Sequence, residues 1–164
     1  DDALMQVAPC LQRLTPVAGC VVEVEGMKAR RTMRADKVYI TGGGSRQRIG
    51  GGMTVGRRTN AVDDALKAEL LALAQDAFGD LAPNGASMAD CVTSVACGVR
   101  PISPDWAPLI GRDKASGALI AAGHGRNGWL LAPLTAKAIA AQIYGEGAPA
   151  LLDAFAPNRF EESA

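Results

Sequence analysis

The sequence predicts an α+β fold, an antiparallel or mixed sheet with one packed helix, followed by a further strand, glycine turn and helix. Two observations carry this. The elements run strands, helix, strand, strand, helix, which is not a repeating βαβ series. The 164 residues include 19 glycines, set against 4% aromatic residues. These glycines fall in clusters, as they do where backbone bends sharply or approaches something closely.

The segment from Leu14 to Val55 reads as strands. Val21-Val22-Glu23-Val24-Glu25 and Lys37-Val38-Tyr39-Ile40-Thr41 are β-branched or alternating, with Gly26 ending one and Gly42-Gly43-Gly44 the other. Asn60 is the expected cap of a helix with Asp63 and Asp64 in its first turn. Its buried face is expected to be Leu66, Leu70, Leu73, Ala74 and Ala77, with Gly79 beyond its end. Alternation returns from Met88 to Arg100, with Cys91, Thr93, Val95, Cys97 and Val99 on one side and Val92, Ser94, Ala96, Gly98 and Arg100 on the other.

Leu119-Ile120-Ala121-Ala122 is wholly apolar, as in a strand inside a sheet covered on both faces. It leads into Gly123-His124-Gly125-Arg126-Asn127-Gly128 and a helix ending near Tyr144, whose buried side is expected to include Leu130, Leu134, Ile139 and Ile143. Strand, glycine turn and helix present backbone amides to a ligand.

Seventeen Lys and Arg balance 17 Asp and Glu. Zero net charge argues against a nucleic-acid or anionic-membrane partner. No apolar run is long enough to span a membrane and Asp1-Asp2-Ala3-Leu4 does not open a secretion signal, so the expectation is a soluble, cytoplasmic protein. Cys10, Cys20, Cys91 and Cys97 lack C-x-x-C spacing and are read as reduced apolar residues. With His124 the only histidine, a structural metal site is not expected.

Two arginines stand out. Arg100 ends a strand before Pro101, which holds its backbone extended. Arg126 lies in a glycine turn before a helix. A guanidinium can grip a carboxylate through two parallel hydrogen bonds, although an ordinary surface ion pair is the alternative at both positions. Gly123 to Gly128 fits Gly-x-Gly-x-x-Gly but lies near the C-terminus, so it is not read as a nucleotide pyrophosphate site. His124 is either a general base or a structural histidine, and Tyr39 either a ligand contact or sheet packing.

Three ordered stretches carry a resemblance: Gly98-Val99-Arg100-Pro101 through Pro104-Asp105-Trp106-Ala107-Pro108-Leu109-Ile110-Gly111, then Ala121 through Pro133, then Ala154-Phe155-Ala156-Pro157-Asn158-Arg159-Phe160. Together they resemble the C-terminal half of FAD-dependent D-amino-acid oxidase family proteins, of the glycine oxidase type. The resemblance covers residues 14 to 161. It implies that residues 1–111 are part of a substrate-binding sheet domain and 112–164 the C-terminal part of the FAD-binding domain. It further implies that Arg100 pairs with the substrate carboxylate, that Arg126 borders the same pocket, and that Tyr39 lies over the substrate.

Gly125, Arg126, Asn127, Gly128, Trp129 and Leu130 match the stretch whose backbone lies against the flavin. After Tyr39 the chain reads Ile40-Thr41-Gly42 where relatives usually carry Val-Pro-Arg. The implied reaction is oxidative deamination of glycine, a D-amino acid or an N-methyl amino acid, with FAD as cofactor and no residue assigned as catalytic. The missing partner is the N-terminal FAD-binding half or a separate subunit, and a homodimer is compatible with the sequence. The rivals are a quinone-linked dehydrogenase of the same family and a non-catalytic fragment that binds a carboxylate or a partner.

Overall fold

A computed structural model describes residues 2–145 and 150–161. Asp1 and residues 162–164, the outermost parts of the two expected domains, lie outside the described residues. The fold is α+β, as the order of elements predicts. The chain forms two compact units, Val17–Val99 and a second made of Asp1–Pro16 with Arg100–Ala164.

The first unit is built on a five-stranded sheet. Its strands are β1 (Thr15–Glu25), β2 (Met33–Ala35), β3 (Val38–Ile40), β4 (Arg46–Val55) and β5 (Val92–Ile102), in spatial order β2-β3-β4-β1-β5. The pairs β2–β3, β3–β4 and β1–β4 are antiparallel, with Val22 opposite Ile49 and Ile40 also opposite Ile49. Alternation sends Cys20, Val22, Val24, Val38, Ile40 and Ile49 into one core, where a helix (Asp64–Phe78) covers them with Leu66, Leu70, Ala74 and Phe78. Burying one such aliphatic side chain contributes about 1.5 to 3 kcal/mol. Gly51 has no side chain because a Cβ there would strike the Lys37 carbonyl and crowd Leu70.

Three expectations change in this unit. Asp63, not Asn60, caps the helix, and its Oδ1 accepts from Leu66 N at 3.1 Å. A cap must sit directly before the first helical residue, and Ala61 and Val62 are not helical. Asn60 Oδ1 accepts instead from Val99 N on β5 at 3.1 Å. Ala77 is exposed and Leu73 half-buried, while Phe78 completes the buried face.

Cys20 and Cys97 form a disulfide and are not reduced. They lie 77 residues apart and face each other only because β1 and β5 are neighbours. Cys10 and Cys91 are free and buried. Burial pushes the Cys91 thiol up, and burial with a hydrogen bond to Asp113 pushes Cys10 up to about 12. Thiol titration of the denatured, unreduced chain is therefore expected to count two thiols, and four after reduction. Four without reductant would return Cys20 and Cys97 to the reduced state.

The second unit starts with α1 (Asp2–Val7) and a 3-10 turn (Pro9–Arg13); the helix Asp64–Phe78 is therefore α2. Strands β6 (Leu109–Arg112) and β7 (Leu119–Ala122) pair antiparallel, and α3 (Gly128–Tyr144) follows. Leu109 and Ile120 pack with Ala8 and Cys10, while Ile110 packs with Ala138 and Leu152. Among the described residues β7 pairs only with β6, and Ala121 is exposed, where the composition of β7 suggests an interior strand.

The α3 face is corrected too. Thr135, Ala138 and Ala141 are buried, whereas Leu130, Leu134 and Ile143 are 79%, 36% and 61% exposed. Only Ile139 of the expected set packs against a core. The helix is apolar almost all round, so periodicity alone fits two faces, and the small-residue face is the one that lets the helix approach β6 closely.

Two polar clusters fasten the C-terminal segment of this unit. Arg159 Nε and Nη2 each donate to the Asp105 carboxylate at 2.9 Å, and its Nη1 and Nη2 also donate to the carbonyls of Pro108, Ala156 and Ala107. Arg159 holds the Asp105 carboxyl well below the usual range. Asp113 is fully buried and accepts from Ser116 Oγ at 2.6 Å, Ser116 N at 2.9 Å and Asn158 Nδ2 at 3.0 Å.

Candidate functional site: the β5 end and the turn before α3

In the second unit the end of β5 meets the glycine turn. Ile102 and His124 form an isolated antiparallel bridge, and Gly125 N donates to the Pro101 carbonyl at 3.1 Å. The two sequence-predicted arginines are each one residue from that bond. Arg100 is half-buried and Arg126 exposed. The turn closes with Asn127 N donating to His124 O at 2.9 Å. Gly123 and Gly125 have φ of 75° and 54°, and a Cβ on Gly123 would also press on Leu14.

His124 is held from the other side. Its Nε2 lies 2.9 Å from Thr135 Oγ1, so the turn is pinned to the second turn of α3. Burial lowers the His124 pKa, which favours the neutral ring at pH 7. This is a structural histidine bonded to a side chain, and Thr135 is the partner that sequence reasoning missed. The signal was available, since residues 124 and 135 bracket the turn, but which face of α3 turns inward was not.

Asn127 precedes α3 without any side-chain cap, so the first amides of the helix, from Gly128 to Leu130, have no side-chain acceptor. Trp129 is 95% exposed. A helix start of this kind attracts negative charge or an acceptor atom, and its apolar residues leave a surface to be covered. These residues suit the edge of a polar aromatic ring system such as a flavin, which needs hydrogen-bond donors at its rim and apolar contact on its face. Among the described residues no three His, Cys, Asp or Glu side chains converge as metal ligands do.

Tyr39 belongs to the first unit. It stands on β3 on the face away from α2, 38% exposed, between its cross-strand neighbours Arg34 and Gly50. Gly50 provides the seat, because a Cβ there would overlap the tyrosine ring.

An antiparallel sheet unit followed by a strand, a glycine turn and a helix is an arrangement this chain shares with an FAD-dependent oxidoreductase class of fold. The chain belongs to the DAO family of FAD dependent oxidoreductases, whose profile matches residues 2–142. It is 36% identical over 104 residues to D-amino acid dehydrogenase 1 of Mesorhizobium japonicum, covering 63% of this chain and 23% of that protein. It is 30% identical over 126 residues to a D-amino acid dehydrogenase of Neisseria gonorrhoeae, covering 77% of this chain and 29% of that protein. Glycine oxidase from Geobacillus kaustophilus is similar in structure, with TM-score 0.73 and 28% identity over 90% of this chain and 40% of that one. The chain thus spans about a quarter of the length of the first curated relatives it matches. Among the described residues no helix is long and apolar enough to cross a membrane.

Proposed function

We propose that the complete protein oxidises a small amino acid, glycine, a D-amino acid or an N-methyl amino acid, to its imine, which water converts to the oxo acid. FAD, when bound, would accept the hydride, with its two electrons, from the substrate Cα, while the amine nitrogen gives up a proton. The observation that carries the reading is the Gly125–Pro101 hydrogen bond, which sets the Arg126 turn against the strand end bearing Arg100 beside the uncapped start of α3.

Each part of the chain then has a task. Arg100 binds the substrate carboxylate, and Arg126 borders the same pocket. Tyr39 contacts the substrate. Gly125 to Leu130 hold the flavin edge, with the helix dipole favouring negative charge there. Residues 1–111 contribute to the substrate domain and 112–164 complete the flavin domain. The exposed Trp129 and Leu130 are covered in the complete protein by its other part or by a partner subunit.

The dehydrogenase relatives favour a second reading in which a quinone, not oxygen, reoxidises the flavin. A peroxide assay under oxygen on the completed protein separates the two, since peroxide forms only in the oxidase. By itself the chain is expected to purify colourless, because its Gly-x-Gly-x-x-Gly does not stand at a pyrophosphate site. A yellow preparation carrying one FAD per chain would overturn that expectation.

A further inference from the structure

Asn60, expected from the sequence to cap a helix, has another task in the structure. The loop of residues 56–63 joins β4, which ends at Val55, to α2, which starts at Asp64, yet in the sheet β1 lies between β4 and β5. The loop therefore reaches past β1, and Asn60 Oδ1 accepts from Val99 N on β5 at 3.1 Å. Both residues belong to the first unit. Val99 immediately precedes Arg100 in a strand that runs unbroken from Val92 to Ile102.

The loop is cross-braced around this side chain. Arg57 Nη1 donates to Asp63 Oδ2 at 2.8 Å and its Nη2 to the Ala61 carbonyl at 3.1 Å, while Ala61 N donates to Thr59 Oγ1 at 3.1 Å. The other oxygen of Asp63 caps α2, so the bonds on both sides of Asn60 are fixed to the helix. On the receiving strand Cys97 is tied to Cys20, and Gly98 stands between that tie and Val99. A Cβ on Gly98 would meet nothing within 4 Å, so packing in this chain does not require glycine there, and its backbone is the freest in the stretch. Beyond it, Pro101 limits the backbone of Arg100 to extended conformations, and the Pro101 carbonyl accepts from Gly125 N at 3.1 Å within the second unit. The residues on either side of Arg100 are thus both hydrogen-bonded through their backbone, and the bond before it comes from a side chain.

The geometry points to Asn60 as a positioning residue for Arg100. It touches no reacting atom. By holding the Val99 amide after the flexible Gly98 it narrows the positions from which the guanidinium meets a carboxylate, so less strand freedom is lost on binding. This inference rests on the reading of Arg100 as the carboxylate ligand. One hydrogen bond between partly exposed groups bounds the effect at about three- to tenfold in affinity, well below that of Arg100 itself.

In the complete, FAD-loaded protein Asn60→Ala is expected to raise KM about three- to tenfold, with kcat and flavin content unchanged. The Kd of acetate, a carboxylate without the amine, is expected to rise by the same factor, read from flavin absorbance. In an Arg100→Leu background Asn60→Ala is expected to add nothing further, because it acts through that arginine. Amide exchange in the chain itself gives a readout free of turnover: Val99 N is expected to exchange faster in Asn60→Ala and to stay protected in Asn60→Asp, which keeps an acceptor. Asn60 is exposed, so neither substitution opens the core. An unchanged KM and acetate Kd in Asn60→Ala, beside a raised KM in Arg100→Leu, overturns the proposal and leaves the carboxylate reading standing. An unchanged KM in Arg100→Leu removes that reading and the proposal with it. Additive effects of the two substitutions, or a fall in kcat with loss of FAD, make Asn60 an ordinary structural residue and overturn the proposal as well.

Discussion

Replacing Arg100 by leucine in the complete enzyme is expected to raise KM for amino-acid substrates by at least tens of fold, with FAD still bound. In a pocket shielded from water, removing one side of a hydrogen-bonded ion pair costs about 3 to 5 kcal/mol, or two to four decades in an equilibrium constant, because the other charge is left unpaired. Arg100 suits this role because the Pro101 that follows is held by Gly125 N, which limits how far the strand end can shift. The loss at Arg126→Leu is expected to be smaller, since Arg126 is exposed and sits in a turn. Steady-state kinetics with flavin absorbance read both results. An unchanged KM for Arg100→Leu would make this arginine an ordinary surface residue, and loss of flavin would make its role structural.

Asp113→Ala is expected to destabilise the chain by about 1 to 3 kcal/mol, read as a lower urea midpoint. The substitution strands the buried Asn158 amide donor, whereas the exposed Ser116 can turn its donors to water. A loss below about 1 kcal/mol would mean that water satisfies that donor and the network is not structural. The pH dependence has a definite sign. Hydrogen bonds, first that from the Ser116 hydroxyl, lower the Asp113 pKa below 3.8, so its contribution is present above that pH and is lost on acidification through the folded value. Asp113→Ala should flatten the acid limb of the stability curve.

Much of the frame was legible in the residues because it depends on short-range chemistry. Alternation at Val22, Val24, Val38 and Ile40 marks strands facing one core, and Leu66, Leu70 and Ala74 mark the helix that covers it. The motif around Gly98-Val99-Arg100-Pro101 and the turn at Gly123 to Gly128 located the candidate site. The structure adds the bond by which these two segments meet. Cap choice was less legible, since Asn60 and Asp63 are both good caps and only the helix start separates them. The α3 face was illegible for a different reason. Its apolar residues surround the axis, and Leu130 lies outward because Thr135, Ala138 and Ala141 fit closer to the sheet.

The sequence by itself determined the element types, the α+β class and the family, because periodicity, turn chemistry and motif order are properties of neighbouring residues. Tertiary structure alone decided which distant residues meet: Cys20 with Cys97, His124 with Thr135, Asp105 with Arg159, and Asp113 with Asn158. Strand order and helix facing are set by the burial of whole faces together, a sum over distant contacts that no local window of sequence contains.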